Sequence, residues 1–270
     1  MNSRAMLGRR LIFYFYITPG YKTNPAYSMH FACLKKYANL FDSAKFFLSV
    51  DDTRNKELIA EVASKIVSCG FVENTDFIVV ENCPYRESAI FKQELADKLD
   101  TLSGLTFFGH TKGVSNVLNP EYSLDSILKW IFGCYYLSLE FMDEVHNQMQ
   151  VYQPFDQRLF YGSFLRNVLP ENGGGTKYGP EYEGTFFWVN GQRLCDFMKE
   201  NEIPLPRNFG RFYSERFPGD IFPIGTRIGS HRFRYFHGEV SMYNDIDVVL
   251  PLLLDEDELN VFNKKYNELV

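Results

Sequence analysis

No two cysteines of this chain are spaced as CxxC, and the five present (Cys33, Cys69, Cys83, Cys134 and Cys195) are scattered and odd in number. That excludes both a zinc-ribbon pattern and a disulfide framework, and it suits reduced thiols in a reducing compartment. Neither GxGxxG nor GxxxxGK[ST] occurs, so the two glycine-rich phosphate cradles with a recognisable spacing are missing. Cationic excess is missing too: 28 Lys and Arg face 34 Asp and Glu, for a net charge of -6. A broad grip on a nucleic-acid backbone is thereby excluded, because such binding needs clustered cations. One small anion in a local cationic pocket is not. Nor is there an apolar run long enough to span a bilayer, which takes about 20 residues. The stretch Leu11 to Ile17 near the basic start is far shorter and lacks a small-residue cleavage site, so it reads as a first buried strand rather than a signal peptide. A cytoplasmic location is expected, with room for peripheral attachment to a membrane.

Aromatic residues are abundant, at 17% of 270 residues with 26 Phe and 17 Tyr, enough for a large core and for clefts that stack on rings or sugars. The first half alternates cleanly. RLIFYFYIT, SAKFFLSVDD, TDFIVVEN and GLTFFGH read as strands. Between them NPAYSMHFACLKKYANLF, NKELIAEVASKIVSCG and RESAIFKQELADKLDTL carry helical spacing. Asn24 before Pro25 makes a helix start and Gly70 a helix stop. Strands and helices alternating at this interval predict an α/β fold, a Rossmann-type mostly parallel sheet flanked by helices. The near-continuous apolar strands fit helices on both faces.

The second half is an irregular α+β region. A long helical pattern runs from near Ser123 to Gln150, with Gly133 as a candidate break. Short strand-like pieces and Gly/Pro-rich loops follow, including GGG at 173–175 as a candidate mobile loop, and an acid-led helix occupies DEDELNVFNKKYNELV. A single domain over 1–270 is expected, with halves of about 8–118 and 119–270.

In such a sheet ligands bind outside the carboxyl ends of the strands. Every one of the four strands ends in groups able to hold a ligand: Thr18, Asp51-Asp52, Glu81-Asn82 and His110-Thr111-Lys112. An imidazole, a hydroxyl and an ammonium placed together at the end of a core strand would be costly to bury without partners, so they are expected to point at something. Asp51-Asp52 fits a helix cap as well as a ligand contact, and Arg86 with Glu87 fits a surface ion pair in a first helical turn. Trp130 reads as core. The segment SHRFRYFHGE, with His231 and His237, fits either packing or closure over phosphates.

Four stretches in order resemble GT-A-type glycosyltransferases, in particular bacterial polysaccharide enzymes related to the rhamnan-synthesis F group: SVDD, ENCPYRESAIF, FFGHTKG and YEGTFFWVNGQRL, with RFYSERF after them. Glu87 stands where those enzymes have Asp, and Tyr85 where they have Gly. The resemblance implies a nucleotide-sugar donor (UDP-, GDP- or dTDP-linked) held by Thr18, Asp51, Asp52, Asn82, Arg86, Glu87, His110, Thr111 and Lys112. It implies a glycan or lipid-linked glycan acceptor near Gly184, Phe187 and Trp188. HTK replaces the DxD metal motif, so His110, Thr111 and Lys112 would offset the diphosphate charge directly. A divalent cation, Mn or Mg, would be tolerated but not obligatory. An inverting transfer would need a base, with Glu215 the first candidate and Asp220 the second. Two alternatives stay open on the same residues: a non-catalytic module binding nucleotide sugars or glycans, and a nucleotide-dependent phosphotransferase.

Overall fold

The computed structural model describes residues 8–83, 87–96, 104–150, 152–153, 156–157, 159–167, 180–182, 184–203, 213–222, 228–234 and 242–270. The first half runs β1 (Arg9–Ile17), α1 (Pro25–Tyr37), β2 (Ser43–Val50), α2 (Lys56–Ser68), β3 (Thr75–Glu81), α3 (Glu87–Ala96) and β4 (Leu105–His110). Two helices follow, α4 (Leu124–Leu139) and α5 (Met142–Gln150). Short strands come next: β5 (Tyr152–Gln153), β6 (Asp156–Gln157), β7 (Phe160–Gly162), β8 (Leu165–Asn167), β9 (Pro180–Tyr182) and β10 (Phe187–Asn190). The chain continues through α6 (Gly191–Glu200), α7 (Tyr213–Ile221), β11 (Gly229–Ser230), α8 (Met242–Leu253) and α9 (Glu256–Asn267).

Among the described residues seven strands make one sheet in the order β11-β7-β10-β4-β1-β2-β3. β1 pairs in parallel with both β2 and β4, β2 with β3, and β7 with β11, while β10 runs antiparallel to β4 and to β7. The α/β, mostly parallel sheet flanked by helices is therefore what the molecule has. After β1 the chain builds β2 and β3 on one side, then returns to place β4 on the other. A reversal of this kind is where open α/β sheets place their ligand-binding crevice, here outside the carboxyl ends of β1 and β4.

The alternation of side chains along each strand fills two cores. Leu11, Phe13, Phe15 and Ile17 of β1 face one way, into a cluster with Phe46, Phe107, Trp130 and Trp188. Ile12 and Tyr14 face the other, into a cluster with Phe91, Phe108, Phe187 and Phe217. On that second face a buried ion pair, Lys45 Nζ to Glu94 Oε2 at 3.1 Å, pins α3 across β2. Glu87 lies seven residues, two helical turns, before Glu94, so the same face of α3 carries it to the end of β4.

One expectation changes here. The helical pattern to Gln150 breaks at Glu140–Phe141 and not at Gly133. Gly133 sits inside α4 because a Cβ there would lie 2.9 Å from the ring of Phe164. The third helix is described only to Ala96, and the residues 171–179 that include GGG lie outside the described residues.

Candidate nucleotide site at the strand ends

The end of β4 is built into its neighbours. Thr111 continues the ladder with β1: its N–H donates to Tyr14 O at 3.0 Å, and its Oγ1 accepts from Tyr16 N–H at 2.9 Å, replacing a backbone carbonyl. His110 is buried, with Nε2 2.8 Å from Gly184 O and Nδ1 3.8 Å from Glu87 Oε2. A carbonyl only accepts, so Nε2 carries hydrogen, and the ring bridges α3 to the segment before β10. Lys112 then turns its stem over Trp130, with Nζ 4.9 Å from the ring centroid, and donates to Glu215 Oε1 at 3.0 Å. The same Oε1 accepts from Gly184 N–H at 3.0 Å. Gly184 has φ +96°, a left-handed backbone that favours glycine, and this conformation aims its N–H at Glu215 and its C=O at His110.

Glu215 is 6% exposed. Burial pushes its carboxyl up, but the charge and hydrogen bond of Lys112, the nearby His110 and the Gly184 N–H together hold it below the ordinary value of 4.5. It is ionised and serves as the counter-ion of Lys112. A carboxylate so engaged is a poor proton acceptor until the lysine leaves it.

Beside these groups the ends of β1, β2 and β3 share a chain of hydrogen bonds. Asn82 Nδ2 donates to Asp51 Oδ1 at 2.9 Å, and Tyr16 OH donates to Asp51 Oδ2 at 3.3 Å. Tyr14 OH donates to the buried Ser49 Oγ at 2.8 Å, with Asn82 Oδ1 3.4 Å away. Asp51 is held by two donors, yet it is exposed, so it keeps acceptor capacity for a hydroxyl or a ring N–H of a ligand. Asp52 is different: it accepts from Arg54 Nε at 2.9 Å and from Arg54 N–H at 3.0 Å, closing its own turn. The Thr18 N–H donates to Tyr27 OH at 3.1 Å, and Tyr27 OH donates to Tyr16 O at 2.7 Å. That fixes the exit of β1 from beneath.

Of the predicted site residues, His110, Lys112, Gly184, Glu87 and Glu215 thus form one connected cluster, and Asp51 with Asn82 another at the neighbouring strand ends. Thr111 is committed to β1 and Asp52 to its own turn. Phe187 and Trp188 are corrected: each is 0% exposed. Both faces of β10 are covered, and Trp188 Nε1 donates to Ser138 O at 2.8 Å while its ring stacks on Phe41. Neither offers surface to an acceptor. Arg86 and the side chain of Asp220 lie outside the described residues, as does His237. His231 braces α5 to α9 through Glu144, at 2.7 Å, and Glu258, at 3.1 Å. Tyr14, Tyr16 and His30 were not singled out in the sequence, because each sits in an apolar stripe where an aromatic ring is expected.

Among the described residues no three His, Cys, Asp or Glu side chains converge as a metal ion would need, and no helix is long and apolar enough to cross a membrane. No protein-family model and no curated protein matches the chain. Among solved structures, the 4-diphosphocytidyl-2C-methyl-D-erythritol synthase of Anaerococcus prevotii aligns over 90% of this chain and 94% of that one, at 8% identity and a TM-score of 0.38. A likeness that loose carries no argument about chemistry, which has to come from the chain's own residues.

Proposed function

We propose that the chain is a GT-A-like glycosyltransferase that moves a sugar from a nucleoside diphosphate donor to a glycan or lipid-linked glycan acceptor, with inversion, in building a surface polysaccharide or glycoconjugate. The observation that carries this reading is the meeting of two kinds of group at the switch point of an open α/β sheet. A cation, Lys112, ends β4, and an acceptor array, Asp51 with Asn82 and Tyr16, ends β2, β3 and β1. Acceptors suit the hydroxyls and ring N–H groups of a nucleoside, and a lysine suits the diphosphate, whose charge grows as the glycosidic bond breaks. In this reading Lys112 faces the leaving group directly and no divalent ion is obligatory. Glu215 and Asp220 are the carboxylates proposed to take the acceptor proton. Glu215 can do so only once Lys112 has turned to the diphosphate.

The test is binding. At about a hundred times its Kd, a ligand of the native state adds about 2.7 kcal/mol, so UDP, GDP or dTDP should raise the Tm by roughly 5 °C. The bare nucleoside at the same concentration should raise it less. The shift should survive a chelator. Its loss on chelation, with return on adding Mn or Mg, would assign the diphosphate to a carboxylate-held cation instead, and no shift with any of the three would sink the reading.

One observation favours a second reading. Glu215 is held by Lys112, so its carboxylate is not free to take an acceptor proton, which suits a binding module. Incubation with a nucleotide sugar separates the two: an enzyme releases the nucleoside diphosphate over time, and a module returns the donor intact.

A further inference from the structure

A fully buried histidine lies beneath the site. His30, on α1, is 0% exposed, and burial pushes its ring down to about 3, so it is neutral at any ordinary pH. Its Nε2 is 2.9 Å from Lys112 O and its Nδ1 is 2.9 Å from Tyr135 OH, on α4. The carbonyl can only accept, so Nε2 carries the one ring hydrogen, and Nδ1 accepts from the tyrosine hydroxyl. The tautomer is thereby fixed. Phe13 touches both rings, edge-on to His30 at 6.2 Å and stacked on Tyr135 at 6.3 Å, and Phe186 meets Tyr135 edge-on at 5.0 Å. A polar pair in such a cage is expensive unless it satisfies something. What it satisfies is the carbonyl of Lys112, whose ammonium reaches Glu215.

The rest of that turn is held as well. Asn24 uses Oδ1 to cap α1 at Ala26 N–H and Nδ2 to donate to Val114 O at 2.8 Å. Gly113, at φ +80°, lies so close to α4 that a Cβ would be 3.0 Å from Ile127. These contacts fix the turn after Lys112. His30 alone among them grips the peptide of Lys112 itself, and the plane of that peptide sets the direction in which the side chain leaves the backbone.

We propose that His30, oriented by Tyr135, is a positioning residue that aims the Lys112 ammonium into the crevice. The inference rests on the reading of Lys112 as the diphosphate contact, and two measurements separate its failure from that of the reading. The first needs no ligand. Acylation of lysines in the free protein, followed by mass spectrometry, should show His30→Leu labelling Lys112 several-fold faster, relative to the exposed Lys56, than wild type does. His30→Gln, whose amide N–H can reach the same carbonyl, should restore most of the protection, and Tyr135→Phe should fall between. Unchanged Lys112 labelling in His30→Leu, or equal acceleration at all lysines, would overturn the proposal. The second is selectivity: His30→Leu should weaken UDP, GDP or dTDP, whichever binds, by about tenfold, the scale of one charge-assisted hydrogen bond, and leave the matching nucleoside nearly unchanged. Equal weakening of both ligands would make His30 a merely structural residue and overturn the proposal. If wild type binds none of the diphosphates while the labelling shift holds, the function reading falls and the positioning of Lys112 stands.

Discussion

Between pH 6.5 and pH 3 the fold is expected to lose on the order of 5 kcal/mol through His30 alone, read as a fall in the urea midpoint. In the unfolded chain this imidazole has its ordinary value of 6.5, and in the folded protein burial holds it to about 3. Between those values the unfolded state binds the proton and the native state does not, so acid favours unfolding by about 1.4 kcal/mol per pH unit. The penalty is absent above 6.5, grows as pH falls, and is complete near 3. That is a large share of a typical total of roughly 5–15 kcal/mol. Glu215 adds to it from lower down: its folded carboxyl lies below the ordinary 4.5, so its contribution is present above that value and lost as pH falls through the folded one. His146, also held down chiefly by burial, acts in the same direction as His30, so the deciding comparison is a difference. His30→Gln should be flatter than wild type from pH 6.5 downwards. Identical slopes would mean that His30 is wet, or already charged, in the native state.

How much of this was legible in the sequence follows from how local each signal is. The four parallel strands and their helices were, because helix caps and apolar runs act within a few residues. Asn24 caps α1 where Pro25 begins it, and Asp255 with Glu258 makes a reciprocal capping box at the start of α9. The positions of Asp51, Asn82 and Lys112 followed from the strand ends alone. What stayed hidden is what depends on partners far along the chain. Lys112 and Glu215 are 103 residues apart, and His30 and Lys112 are 82 apart. Trp188 carried an acceptor role only through the resemblance of YEGTFFWVNGQRL to a family segment, yet β10 slots between β4 and β7 and both its faces are covered. α8 was missed as a helix, since MYNDIDVVLPLL contains Pro251 near its end, where a proline normally argues against one. Gly133 misled for the opposite reason: tight packing on Phe164, not a helix break, puts a glycine there.

Replacing Lys112 by Met should cost about 3–5 kcal/mol at neutral pH, the usual loss when one partner of a buried ion pair is removed. The pair qualifies, with side chains 15% and 8% exposed. Met keeps the stem over Trp130 and removes only the charge, so the loss would report Glu215 left in the protein without its counter-ion. The pH dependence then changes sign. With Lys112 gone, burial, already the largest influence on Glu215, is opposed by His110 and the Gly184 N–H but no longer by the lysine, and the carboxyl rises. A group raised on folding takes up its proton more readily in the native state, so the deficit of Lys112→Met should be greatest near neutrality and shrink as pH falls towards the ordinary carboxylate range. Adding Glu215→Gln removes the stranded charge while keeping an acceptor oxygen for Gly184 N–H. The double variant should therefore recover most of the stability and lose that pH dependence, giving a coupling energy well above the roughly 0.5 kcal/mol error of independent sites. Urea unfolding of the wild type, both single variants and the double variant at three pH values measures it. A loss below about 1 kcal/mol for Lys112→Met, the scale of an exposed pair, would show that water screens Lys112 from Glu215. Glu215 would then be free to act as a base without first being released.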